Sequence, residues 1–162
     1  MKIVLASDHA GFALKEMLRR DLQKRGEQVF NLGVFDENAA DYPDLAVLAA
    51  LAVRKGEFDR GILVCGTGIG VSIMANKVQG IRAALCGDCF SARSARAHND
   101  ANILTLGARV VGPGLALDIV HVFLKTPFAG GRHQRRVEKI YLLEQQAKKQ
   151  LDALENSSSS AD

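Results

Sequence analysis

The feature that most constrains this chain is a short run with no polar break, Ile3-Val4-Leu5-Ala6, stopped at once by Ser7, Asp8 and His9. A strand that is apolar at every position has no face to offer water, so it reads as a parallel strand buried in a covered sheet. Leu14, Leu18 and Leu22 then repeat at helical spacing with Met17 on the same face, and Gly26 closes that helix. Lys15, Glu16, Arg19, Arg20 and Lys24 are expected on its wet side. The pattern recurs: 28–32 reads as a strand, 43–55 as an alanine-rich helix, 61–65 as a strand and 70–77 as the helix after a glycine loop. Strands near 81–85 and 103–106 follow, with helices at about 91–97 and 115–124. Such βα alternation over five strands predicts an α/β chain, a parallel sheet with helices on both faces.

Beyond Pro127 and Gly130-Gly131 the pattern changes to one long helix, with Val137, Ile140, Ala147, Leu151 and Leu154 at mixed three- and four-residue spacing. A stripe outside the sheet fits a dimer contact or packing back on its own domain. The serine-rich end, 156–162, is expected to be disordered. A length of 162 residues, 48% hydrophobic, allows one domain with a real core. The net charge of +3 is spread among acidic residues, which disfavours nucleic acid as a partner and leaves a small anionic ligand open. No secretory signal and no apolar run of membrane-spanning length is visible, and three cysteines fit reduced thiols in a cytoplasmic protein.

In an open parallel sheet ligands bind beyond the carboxyl ends of the strands. Asp8 and His9 follow the first strand, Cys65-Gly66-Thr67-Gly68-Ile69-Gly70 the third, Cys86 to Cys89 the fourth and Gly107 to Arg109 the fifth. His98 and Asn99 are read as lying on the loop into the last strand. Three alternating glycines let a backbone approach an anion closely and turn several N–H groups toward it, and they equally suit a plain tight turn. Val71 stands where a nucleotide P-loop needs lysine and where a cysteine phosphatase needs arginine, so neither applies.

Cys65 at the head of this loop is either a thiolate base favoured by a helix N-terminus or a buried small hydrophobe. Cys86 and Cys89, spaced C-x-x-C, offer a thiol redox pair as a rival function, whereas a zinc site lacks its second pair. Asp8 also suits a helix cap, and 98–100 a polar turn. Arg132 to Arg136 is the densest basic cluster, and cations at a helix start call for a nearby anion; Arg132 and Arg136 share one face.

Taken in order, Ser7-Asp8-His9-Ala10-Gly11, Asp41-Tyr42-Pro43, Cys65 to Gly70, Ala75-Asn76-Lys77, Gly80-Ile81-Arg82-Ala83, His98-Asn99-Asp100 and Gly130-Gly131-Arg132-His133 resemble the ribose-5-phosphate isomerase B family and its relatives acting on allose and galactose 6-phosphates. The resemblance runs from Met1 to about Gln146, which sets the expected domain at 1–146, a helix extension at 147–155 and the tail at 156–162. It implies a three-layer α/β/α, Rossmann-like domain with a C-terminal helix used for dimerisation, a homodimer or dimer of dimers with shared active sites, and no metal or other cofactor. Cys65 would then be the proton-transferring base and Thr67 would move a proton between substrate oxygens. Amides from Gly66, Gly68, Ile69 and Gly70 would hold the enediolate, and His98, helped by Asp8, would open the sugar ring. Tyr42 and Asn99 would bind hydroxyls. His9 and Arg109 would take the phosphate together with Arg132 and Arg136 of the neighbouring subunit. Family members that use a glutamate after the loop differ from this chain, which has Val71 there. The expected activity is aldose–ketose isomerisation of ribose 5-phosphate and ribulose 5-phosphate, with allose 6-phosphate or galactose 6-phosphate as alternative substrates and a non-catalytic sugar-phosphate sensor as an alternative function.

Overall fold

A computed structural model describes residues 1–36 and 38–158, with side chains of the last helix described through 153. The chain divides into two units, Met1–Phe128 and Ala129–Asp162.

In the first unit β1 (Lys2–Ser7), β2 (Gln28–Asn31), β3 (Arg60–Cys65), β4 (Ala83–Leu85) and β5 (Ile103–Gly107) form one sheet. Its order is β2-β1-β3-β5-β4 and every pairing is parallel. The helices are α1 (Phe12–Lys24), α2 (Tyr42–Arg54), α3 (Ile69–Ala75), α4 (Cys89–Asn99) and α5 (Pro113–Lys125). Alternating side chains explain the unbroken apolar runs. Ile3, Leu5, Ile62 and Val64 pack with Leu14, Leu18 and Leu22 of α1, Ala92 and Ala95 of α4 and Phe123 of α5. Val4, Ala6, Leu63 and Cys65 point the other way, onto Ala46, Ala49, Ala50 and Val53 of α2 and onto α3. Each fully buried leucine or phenylalanine contributes about 1.5–3 kcal/mol to this arrangement.

The topology locates a crevice. From β1 the chain crosses to β2 on one side, and from β3 it crosses to β4 on the other, so helices diverge at the carboxyl ends of neighbouring β1 and β3. The strand expected from residue 81 starts only at Ala83, because Gly80 turns the chain with φ 81° and Ile81 N–H is spent on Val78 O.

Two expectations are corrected here. Lys15 is fully buried, not on the wet face of α1. Its ammonium donates to Asn31 Oδ1 (2.9 Å) and to the Val34 carbonyl, lies 3.6 Å from Glu16 Oε1, and sits against the Phe12 ring. Burial lowers its pKa from the ordinary lysine value. His98 and Asn99 are not on a loop: they form the last turn of α4.

The second unit is α6 (Arg132–Ser158), entered through Gly130 and Gly131, both with positive φ. The helix includes residues 156–158 of the segment expected as a tail, and 159–162 lie outside the described residues. Ile140, Tyr141, Leu142, Leu143 and Leu151 are exposed along it. Among the described residues, no helix is long and apolar enough to cross a membrane.

Candidate active site

The crevice between β1 and β3 collects most of the residues singled out by sequence. Register pairs Ser7 with Val64, so Asp8 and Cys65 leave the sheet side by side. Asp8 Oδ1 accepts from Gly11 N–H at 2.9 Å and shapes a single 3₁₀ turn, His9–Gly11. Gly11 is glycine because a Cβ there would lie 2.5 Å from the Val64 carbonyl oxygen. The capping role of Asp8 and its place beside Cys65 are therefore one geometry. His9 is exposed, and its Nδ1 accepts from Ala40 N–H at 3.5 Å.

Cys65 ends β3 with its side chain nearly buried, as packing required. Its sulfur is nevertheless engaged: Gly68 N–H donates to Sγ at 3.0 Å. The loop can turn back in this way because Gly68 is left-handed, with φ 78°. Close approach demands glycine as well, since a Cβ on Gly107 would meet Thr67 O at 2.6 Å. The loops after β3 and β5 are further joined by Ala108 N–H to Cys65 O (2.9 Å) and Arg109 N–H to Gly66 O (3.0 Å). The Arg109 side chain then lies over Gly66, whose Cβ position is 3.6 Å from the guanidinium.

Tyr42 is the first residue of α2, following Asp41 at the cap and preceding Pro43, and its ring lies on Gly70, 2.7 Å from where a Cβ would stand. Thr67 and Ile69 are exposed on the rim, with Ile69 N–H directed at Thr67 Oγ1 over 3.4 Å. One chain thus brings together Asp8, His9, Tyr42, the 65–70 loop and Arg109: a thiol, an acid, hydroxyls and two basic side chains around close-packed backbone amides.

His98 and Asn99 are not part of that group. They are exposed at the end of α4, where Arg82 Nε donates to Asn99 O (3.0 Å) just before β4 begins. Asn102 O accepts from Gly61 N–H, so this end of the helix meets the amino edge of the sheet. Cys65 lies four residues farther along β3, about 13 Å at the rise of a strand. Arg132 and Arg136 are exposed in the opening turns of α6, in the second unit.

The rival thiols fare differently. Cys86 is buried, and burial together with the charge of Asp88 pushes its thiol up to about 11. Cys89 opens α4 behind Asp88, whose carboxylate is committed to Ser91 N–H (2.7 Å) and Ser91 Oγ (2.7 Å). A thiol held protonated at neutral pH is a poor partner for exchange chemistry. Sequence reading gives no role to Lys15, Arg82, Arg96 or Asp100, although Arg82 and Asp100 stand in two of the segments that carry the family resemblance.

Comparison with known proteins gives a consistent result. Residues 3–140 match the family model described as Ribose/Galactose Isomerase. The chain is 49% identical to ribose-5-phosphate isomerase B of Escherichia coli over 144 residues, covering 89% of this chain and 97% of the other. It matches the structure of ribose-5-phosphate isomerase B from Clostridium thermocellum with a TM-score of 0.89 and 54% identity, over 91% of this chain and 99% of that one. The Mycoplasma genitalium ribose-5-phosphate isomerase B structure, solved with bound ribulose-5-phosphate, matches with a TM-score of 0.86 and 45% identity, over 89% and 96%.

Proposed function

Because this chain belongs to the ribose/galactose isomerase family, we propose that it is an aldose–ketose isomerase interconverting ribose 5-phosphate and ribulose 5-phosphate. The observation that carries the mechanism is the Cys65 sulfur, held by Gly68 N–H at the head of a glycine loop in the β1/β3 crevice. In the open-chain aldose the Cys65 thiolate takes the proton from C2, and the C–H electron pair becomes the enediolate double bond while charge gathers on O1. Amides of Gly66 and Gly70 face that charge, joined by those of Gly68 and Ile69 as they leave Cys65 Sγ and Thr67 Oγ1 during the proton transfers, an arrangement of the kind that lowers the barrier to carbon-acid ionisation. Thr67 carries a proton from O2 to O1, and Cys65 returns its proton to C1, giving the ketose with no net gain or loss of electrons. Tyr42 holds a sugar hydroxyl, and His9 with Arg109 holds the phosphate, whose binding energy orients the reacting carbons.

His98 gives a proton to the ring oxygen as its bond to C1 breaks, while the O1 hydroxyl proton passes to Asp8 and leaves the C1 aldehyde; Asn99 holds a hydroxyl. The place of His98 and Asn99 at the amino edge, about 13 Å of strand from Cys65, is why both are assigned to a second copy, where Asp8 of the first chain meets His98. Arg132 and Arg136 complete the phosphate grip from that same copy, and the exposed apolar residues of α6 suit a helix that makes the dimer. Reduced thiols and this metabolic reaction fit a cytoplasmic enzyme.

The test is a side-by-side assay of purified protein on ribose 5-phosphate, allose 6-phosphate and galactose 6-phosphate, repeated with Cys65→Ala. Ribose 5-phosphate should be preferred, and Cys65→Ala should lose turnover about 10²-fold or more while still binding the sugar phosphate in calorimetry. Preference for a hexose phosphate would move the substrate assignment; substantial turnover by Cys65→Ala would remove the thiol as base.

A further inference from the structure

Among the described residues, Asp100 is the one non-glycine with a left-handed backbone, at φ 46° and ψ 42°, and it caps α4 directly after His98 and Asn99. Glycine takes this shape without steric cost, so an aspartate there needs a reason in its side chain. Its carboxylate is gripped from two sides: Arg96 Nη1 donates to Oδ1 at 2.7 Å and Arg82 Nη2 to Oδ2 at 3.0 Å. The same guanidiniums occupy the carbonyls that a helix end leaves open. Arg82 Nε reaches Asn99 O and Asp100 O, each at 3.0 Å, and Arg82 Nη2 reaches Asp100 O at 2.8 Å. Arg96 Nη1 also reaches Ala101 O at 2.7 Å. Arg96 is 3% exposed, with its guanidinium 5.8 Å from the Phe123 ring centre, so the clamp is anchored in the core on one side and open to the His98 turn on the other.

We propose that Arg82, Arg96 and Asp100 are positioning residues that aim His98 for ring opening. The inference rests on the function proposed above. Enolisation belongs to Cys65 at the opposite edge of the sheet, so loosening this clamp acts on the ring-opening step and leaves proton transfer at carbon alone. A cap that merely stabilised α4 would lower both steps together through the folded fraction.

The experiment uses full-length Arg82→Lys, which keeps the charge and loses the planar fork, and Asp100→Asn, which tolerates the left-handed backbone and loses the carboxylate. Each is assayed on ribose 5-phosphate and on a four-carbon aldose phosphate, whose phosphorylated O4 cannot close a furanose. The expected result is a fall of about tenfold or more on ribose 5-phosphate, as for a misplaced catalytic group, with the four-carbon substrate changed by less than about twofold. In parallel, NMR of the wild type and variants should show the His98 ring resonances moved while those of His121 stay. Equal losses on both sugars, unchanged turnover of ribose 5-phosphate, or unmoved His98 resonances would each overturn the clamp. A wild type inactive on ribose 5-phosphate defeats the proposed function instead, and one that ignores the four-carbon sugar removes only that comparison; in both cases the His98 resonances decide.

Discussion

The sharpest consequence of the fold is that two inactive variants should restore one another. Asn102 O is bonded to Gly61 N–H, at the opposite end of β3 from Cys65. About 13 Å of strand therefore separates the His98 turn from the thiol, more than a change of rotamer bridges. If each site takes Cys65 from one chain and His98 from the other, a dimer of Cys65→Ala with His98→Ala carries one site with both lesions and one with neither. Random exchange makes about half of the dimers mixed, each with one of its two sites intact, so recovery should approach about one quarter of wild-type activity. Each parent should sit about 10² to 10⁴ below wild type, which leaves the recovery well above background. Ribulose 5-phosphate formation is measured after subunit exchange, with native mass spectrometry of differently tagged chains to establish that mixed dimers formed. Verified exchange with activity no greater than the sum of the parents refutes the argument and returns His98 to the same chain as Cys65. The same design with an Arg132→Ala, Arg136→Ala partner in place of His98→Ala tests the arginines of α6.

Three further outcomes follow from the packing. Cys86→Ala with Cys89→Ser should keep isomerase turnover, because the Cys86 thiol, pushed up to about 11 by burial and by Asp88, is protonated at neutral pH; lost turnover in a folded double variant would revive a thiol function. Gly68→Ala should cost about 2 kcal/mol or more in urea unfolding and should also lower turnover. Its φ is 78° and the added Cβ would lie 2.8 Å from the Leu106 carbonyl carbon, so an unchanged midpoint would contradict the loop geometry. Burial holds Lys15 below its ordinary 10.5, so the unfolded chain binds that proton more tightly and stability should rise with pH as the folded lysine loses it. Lys15→Met should flatten that rise on the alkaline side as the pH climbs toward the ordinary lysine value of 10.5, and parallel urea-midpoint curves for the two proteins would show that Lys15 does not titrate in this way.

What the sequence revealed and what it concealed divide along one physical line. Runs such as Ile3 to Ala6 and Gly61 to Cys65 are legible because burial on both faces of a parallel sheet leaves no position for a polar residue, and the layers on either side follow from alternation. The glycines of the 65–70 loop are legible for a related reason: a left-handed turn and a 2.8 Å approach to the Leu106 backbone exclude a side chain at Gly68, and a Cβ at Gly70 would displace the Tyr42 ring. Lys15 is hidden because helical periodicity assigns a charged residue to water, whereas its partners, Asn31 and the Val34 carbonyl, arrive from another strand and loop. His98 is hidden because α4, rich in Ala, Arg and Ser, shows little apolar stripe, so the sequence of its last turn looks like loop and carries no sign of its distance from Cys65. Asp100 belongs with these, since Arg82 approaches from 18 residues away to hold it. Residues whose constraint is local excluded volume or two-sided burial announce themselves in one dimension, whereas buried charge declares its role only once its counter-group is in place. The clamp on α4 is of the second kind, which is why its contribution to the reaction has to be sought in the ratio of two substrates and not in the motif itself.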